Sequence, residues 1–232
     1  MIIALNNKSN LDKHEFEQYK EELSTIITNH QLILCPTFLN INYNFPKIIE
    51  LGAQNVSCQK SGAYTGEISA EQLSSYGVKY CIVGHSERRE NQKETNDEIK
   101  NKIHELLKNN IIPILCVGET YEEKEKGQTE EKIKDEIITA ISELSEEEKE
   151  KLIIAYEPIW SIGTGKIPTN MEIETVLKMI KSYLPTSKLL YGGSANEENI
   201  VTLKEINQID GYLLGGLSLK INKLKIFLDK CN

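Results

Sequence analysis

The sequence predicts an α/β protein built as one (β/α)8 barrel, with parallel strands inside and helices outside. Three observations carry this reading. Eight short β-rich runs recur along the 232 residues, helical patterns lie between them, and no Pro/Gly/Ser-rich linker divides the chain, so residues 1–232 are expected to form a single domain. The runs start on average about thirty residues apart, the length of a strand–helix–strand unit. Strict alternation of this kind places helices outside a parallel sheet. The competing open, doubly wound sheet would carry a G-x-G-x-x-G turn after an early strand, and the sequence has none.

The predicted strands are residues 2–5, 32–35, 55–58, 80–83, 112–117, 153–156, 188–191 and 211–214. Most are continuously apolar, as strands covered on both faces should be. Between them, Ile99, Ile103, Leu106 and Leu107 share one helical face. So do Ile133, Ile137, Ile138, Ile141 and Leu144, and again Ile173, Val176, Leu177, Ile180 and Leu184. Three pairs have capping-box spacing: Thr95 with Glu98, Thr169 with Glu172, and Ser194 with Glu197. Pro185 closely follows the helix that ends near Leu184.

Composition narrows the partners. With 39% hydrophobic residues the chain can bury a core, and no apolar run approaches the roughly 20 residues of a membrane span. The apolar start at residues 1–5 is stopped by Asn6, Asn7 and Lys8, well short of a signal-peptide core. A net charge of −8 speaks against nucleic acid and anionic membrane, which require a basic footprint. Residues 122–151 alone hold twelve acidic and six basic side chains, a pattern expected of a solvated helical face. The five cysteines show no zinc-like spacing, and four of them sit within apolar runs. Buried free thiols in a reducing cytoplasm, with no metal, are the natural reading.

In parallel barrels, chemistry gathers at the carboxyl ends of the strands. Asn6 and Lys8 follow the first run; Gly84, His85, Ser86, Glu87, Arg88 and Arg89 follow the fourth. Glu157 stands directly after the sixth, at the mouth of the core, where partial withdrawal from water suits a carboxylate to act as a base. A histidine at a strand end, taken alone, is more often structural than catalytic, and that holds for His85, whereas His14, His30 and His104 lie in helical, polar stretches and are expected to face solvent. Gly192-Gly193 after the seventh run and Gly215-Gly216 after the eighth permit close backbone approach to a ligand, and together they favour a phosphate over two ordinary turns. Residues 158–168 hold two glycines between stiff ends, which describes a lid that closes as one piece; Trp160, the only tryptophan, could also be a packing anchor.

At these residues the chain resembles the triosephosphate isomerases. The resemblance runs through Asn6-x-Lys8, GAYTGEIS (62–69), GHSERR (84–89), CVGET (116–120), AYEPIWSIGTGK (155–166), YGGS (191–194) and DGYLLGG (210–216). It implies interconversion of dihydroxyacetone phosphate and D-glyceraldehyde 3-phosphate through an enediol(ate), with neither cofactor nor metal. It implies Glu157 as general base, His85 as neutral electrophile, Lys8 as fixed positive charge, Asn6 as its support and Glu87 as a group holding the geometry. It also implies substrate binding by Asn6 and Lys8 and by the backbone N–H groups of Gly163, Ser194, Gly215 and Gly216. The lid would be Pro158, Ile159, Trp160, Ser161, Ile162, Gly163, Thr164, Gly165 and Lys166, shielding an intermediate that water would otherwise let decay. Loop 62–69 would enter a second subunit and make a homodimer, Thr65 reaching the neighbour's Asn6 and Lys8, and Glu67 its Arg88.

The chain departs from the family pattern at Leu5, Asn7, Ser161, Leu217 and the Lys166-Ile167-Pro168 end of the lid. None of these removes a catalytic group. Two other functions fit the fold. A Schiff-base aldolase would need a buried strand lysine, and Lys188, the nearest, opens its strand at the wrong mouth. A non-catalytic or altered-specificity phosphosugar-binding barrel would have no need to keep Asn6, Lys8, His85 and Glu157 together.

Overall fold

A computed structural model of the chain describes residues 1–162 and 166–232. The expected closed barrel is there, its strands in sequential order around the ring. In chain order the elements are β1 (Ile2–Asn6), α1 (Lys13–Leu23), β2 (Gln31–Cys35), β3 (Ile49–Ala53), α2 (Ala70–Ser75), β4 (Tyr80–Val83), α3 (Ser86–Asn91), α4 (Asn96–Lys108) and β5 (Ile112–Val117). They continue as α5 (Tyr121–Glu125), α6 (Thr129–Ile141), α7 (Glu146–Glu150), β6 (Ile153–Tyr156), α8 (Asn170–Tyr183), β7 (Lys188–Tyr191), α9 (Ile200–Leu203), β8 (Gly211–Leu214) and α10 (Ile221–Cys231). Every pairing is parallel, and β1 closes the ring against β8, with Ile2 opposite Gly211 and Leu5 opposite Leu214.

Strand alternation builds two separate cores. One set of side chains points into the barrel: Ala4, Ile33, Tyr80, Ile82, Ile114 and Leu190 among others. The alternate set, including Leu5, Leu34, Val83, Val117, Tyr156 and Leu214, packs under the helices. Both sets are apolar, which is why most runs read as continuous in the sequence.

Strand three does not lie at residues 55–58, where the sequence placed it, but at Ile49–Ala53. Glu50 and Gly52 interrupt the apolar run there and hide it. Glu50 is tolerated because Gln31 Nε2 (2.5 Å) and the Tyr80 hydroxyl (3.2 Å) donate to its Oε2, and Lys79 Nζ lies 3.2 Å from Oε1. The expected capping boxes at Thr95 and Thr169 are present, whereas the one at Ser194 is not: α9 starts at Ile200, and Ser194 Oγ instead donates to Ser161 O at 2.7 Å. Ile138 turns outward, leaving Ile133, Ile137 and Ile141 as the buried face of α6. His30 is buried rather than solvated, with Nε2 3.3 Å from Leu228 O.

The acidic stretch forms α5, α6 and α7, largely exposed as expected. Glu136 is the exception, with 1% of its surface exposed. It accepts from Gly118 N–H at 3.0 Å and lies 3.4 Å from Arg89 Nη1 and 3.2 Å from Lys132 Nζ. Burial pushes its carboxyl above the ordinary range, opposed by those two cations. Arg89 also donates to Gly84 O (2.7 Å) and Cys116 O (3.2 Å), so it fastens the loop after β4 to the end of β5.

Candidate active site

Asn6, Lys8, His85, Glu157, Ser194, Gly215 and Gly216 line one cavity of about 390 Å³ at the carboxyl ends of the strands. Residues that lie far apart along the chain meet there because each strand delivers its last residues to the same mouth.

Glu157 follows β6 directly, and its N–H donates to Val117 O at 2.8 Å, extending the ladder by one residue. The side chain is almost fully buried, with 2% of its surface exposed. Its two oxygens are taken by different donors: Ser86 N–H reaches Oε2 at 3.2 Å, and His85 Nε2 lies 3.1 Å from Oε1.

The tautomer of His85 follows from its other nitrogen. The Glu87 backbone N–H donates to Nδ1 at 3.2 Å, so Nδ1 must be an acceptor. The hydrogen of a neutral ring then sits on Nε2, facing the cavity. This works because His85 is the N-cap of α3, which folds the chain back so that the N–H two residues on meets its own ring.

Lys8 stands in the left-handed region at φ 53°, a conformation that costs a lysine on the order of 1 kcal/mol and needs neighbours to hold it. Lys8 N–H donates to Asn6 Oδ1 at 3.0 Å, and Gln54 Nε2 donates to Lys8 O at 2.8 Å. Its ammonium lies 2.5 Å from Glu87 Oε1. Glu87 thus contacts Lys8 with its side chain and His85 with its backbone. Gly215 leaves room for the lysine, since a Cβ there would sit 3.0 Å from Lys8 Cε.

Asn7 is buried, and Nδ2 donates to Ser218 Oγ at 3.2 Å and to the Tyr19 hydroxyl at 3.4 Å. Ser218 Oγ in turn donates to Asn6 O at 3.2 Å, so a polar chain ties the end of β1 to the turn after β8. Leu5 is fully buried under the helices, and Leu217 lines the cavity.

Of the lid, Pro158, Ile159, Trp160, Ser161, Ile162 and Lys166 lie among the described residues, whereas Gly163, Thr164 and Gly165 do not. Trp160 Nε1 donates to Glu119 Oε1 at 2.8 Å, the Tyr156 hydroxyl donates to the same oxygen at 3.2 Å, and Lys124 Nζ sits 3.6 Å from the centre of the indole. Burial raises the Glu119 carboxyl above its usual range. Sequence reasoning quoted CVGET without giving Glu119 a task, and it passed over Gln54 altogether. A carboxylate following an apolar strand, the signal that picked out Glu157, was available for Glu119 as well.

Outside the cavity, residues 62–67 form an exposed loop carrying Thr65 and Glu67. Arg88 Nε donates to Glu94 Oε1 at 3.2 Å within the same chain. Lys188 is exposed at the opposite end of the barrel and paired with Asp210 at 3.1 Å, away from the strand mouths. Among the described residues there is no group of three or more His, Cys, Asp or Glu side chains that could hold a metal.

A closed parallel barrel, with a carboxylate and an imidazole N–H facing one cavity beneath a glycine-lined rim, defines an enzyme built for moving protons on a small anionic substrate. Comparison with known proteins makes the class specific. The sequence profile of the family described as triosephosphate isomerase matches residues 1–232, and the chain belongs to that family. It is 40% identical over 240 residues to the triosephosphate isomerase of Clostridium tetani, covering 95% of this chain and 92% of that one. Its identity to the Dictyoglomus turgidum enzyme of that name is 39%, covering 94% of both chains. To that of Mycoplasmopsis pulmonis it is 41% identical, covering 85% of this chain and 81% of the relative.

Proposed function

We infer that this chain interconverts dihydroxyacetone phosphate and D-glyceraldehyde 3-phosphate, and that Glu157 and His85 carry the proton transfers. The observation that bears most weight is their facing geometry, 3.1 Å between Glu157 Oε1 and an Nε2 that holds its hydrogen. The reaction moves a proton between adjacent carbons and another between their oxygens, so it needs a base and an acid on the same three-carbon fragment.

The proposed sequence begins when a substrate carbonyl takes the Nε2 hydrogen bond from Glu157. The freed carboxylate oxygen removes the carbon-bound proton next to the carbonyl. His85 donates from Nε2 to the developing oxyanion, giving the enediol, and then recovers a proton from the neighbouring hydroxyl, leaving the isomeric enediolate. Glu157 then returns its proton to the other carbon. Lys8 supplies fixed positive charge to the oxyanion, Asn6 holds the strained lysine backbone, and Glu87 keeps both Lys8 and the His85 tautomer in place. Substrate phosphate is held by Lys8 and by backbone N–H groups of Ser194, Gly215, Gly216 and Gly163. Residues 158–166 close over it and exclude water.

No metal or cofactor enters these steps. The chain acts as one domain over 1–232 and as a homodimer through loop 62–69, whose exposed Tyr64, Thr65 and Glu67 would otherwise face water. Five unpaired cysteines suit a reducing compartment, and the cytoplasm is the setting we assign. Turnover of glyceraldehyde 3-phosphate by pure protein in a coupled assay tests the reading; no turnover by folded protein rejects it.

A further inference from the structure

The cavity carries more positive charge than the proposed chemistry uses. Besides Lys8, its lining includes Lys220 and Lys223, both following the Gly215-Gly216 turn in the chain, as well as Gly193 and Ser194. Lys223 belongs to α10 and reaches across to Glu197, on the loop after β7, which also lines the cavity. The two form a close ion pair between Lys223 Nζ and Glu197 Oε1. A second lysine of the same helix, Lys230, donates to the backbone carbonyl of Glu197 at 2.7 Å. Seven residues separate the two lysines, which puts them on one helical face, so α10 holds Glu197 at side chain and backbone together.

We propose that Lys223 is a guarded second cation for the substrate's phosphate: Glu197 holds its ammonium at the glycine-lined end of the cavity and yields it to an incoming dianion. This rests on the triose phosphate reading of the cavity. Lys8, in the same lining, has a like arrangement, with Glu87 holding its ammonium. An ion pair with one partner half exposed is weak, so a doubly charged phosphate can take the lysine at little cost. The carboxylate left behind repels the same phosphate. Glu197 and Lys223 therefore act in opposite directions on binding, although they hold each other in the fold. Their effect falls on substrate recruitment, because neither is hydrogen-bonded or ion-paired to Glu157 or His85.

The test measures kcat and KM for glyceraldehyde 3-phosphate, together with the dissociation constant of inorganic phosphate by calorimetry, in wild type, K223M, K223R and E197Q. K223M is expected to raise KM and the phosphate constant by about 3- to 10-fold, with kcat changed much less, the signature of lost uniform binding. K223R keeps the charge and should stay near wild type. E197Q should lower both constants by roughly 2- to 5-fold, and all the differences should shrink in 0.5 M salt. A merely structural pair predicts that K223M and E197Q move the constants the same way, and that result overturns the proposal. So does a phosphate constant unchanged in both. If K223M does not fold, the direction of E197Q decides alone. Failure of wild type to turn over the triose phosphate rejects the isomerase reading, while the phosphate titration still judges Lys223.

Discussion

Replacing Gly192 by alanine should misplace Glu157 without touching it chemically. A Cβ at this position would lie 2.9 Å from Glu157 Cγ, 3.4 Å from Tyr156 O and 3.6 Å from Glu157 Oε1. Ordinary carbon–carbon contact begins near 3.5 Å, so Cγ must retreat by roughly 0.6 Å or more. The backbone of Glu157 cannot absorb this, because its N–H is bonded to Val117 O at 2.8 Å and its carbonyl packs directly on Gly118. The displacement therefore passes to the carboxylate, away from the geometry set by Ser86 N–H and His85. A misplacement of about 1 Å can cost ~100-fold in rate, so the kcat of G192A should fall about 10- to 100-fold, or ~1.4 to 2.7 kcal/mol of barrier. Overpacking should cost roughly 1–3 kcal/mol of stability. Kinetics with glyceraldehyde 3-phosphate, paired with urea unfolding, read both quantities. A folded variant with kcat within twofold of wild type refutes the reasoning, for it would mean that the carboxylate position does not limit turnover.

Other consequences are as direct. Glu157→Gln should lower kcat by about 10²- to 10⁴-fold with little change in melting temperature; a variant that unfolds yet keeps kcat per folded molecule makes the residue structural. Sedimentation at micromolar concentration should show a dimer, and a stable, fully active monomer contradicts the role given to loop 62–69. In native protein only Cys58 should react readily with a thiol reagent at pH 8, and all five cysteines after unfolding, because the other four are buried. Burial pushes Cys35 to about 12 and Cys231 to about 11. These raised thiols make stability full below the unfolded thiol range and falling as pH climbs from about 9 towards 12, where the unfolded chain has lost protons that the folded one keeps. Urea midpoints across that range should decline steadily; a flat profile rejects the argument.

The barrel was legible because seven of its strands are covered on both faces and so appear as plain apolar runs. β3 escaped because Glu50 is satisfied by Gln31, Tyr80 and Lys79, partners that only the folded barrel brings near. Among site residues, Glu157 and the glycine pairs could be read from their places at strand ends. Lys8 could not, since a lysine after a strand is commonplace until its positive φ and its Asn6 and Gln54 supports are seen. Asn7 marked a departure in the sequence without a reason, and the reason is a hydrogen-bond chain across the β1–β8 seam that no local pattern encodes. Ser194 was misread as a helix cap because capping-box spacing alone does not show where the hydroxyl points.

That seam governs when the molecule can first work. Asn6 and Lys8 leave the ribosome with the first strand, whereas Gly215 and Gly216 follow the last, and they are brought together by the pairing of β1 with β8 and the hydrogen bonds of Ser218 with Asn7 and Asn6. Gly211 has no side chain at the spot where the backbone of Ile2 packs against it, so the two ends meet strand to strand. A nascent chain lacking β8 holds Lys8 without the Gly215-Gly216 turn that lines the cavity with it. Ring closure across nearly the whole contour is the most entropically demanding contact in the fold, and it also assembles the cavity. Stability lost at this seam should therefore appear as lost activity during synthesis, before any change in the mature enzyme's rate.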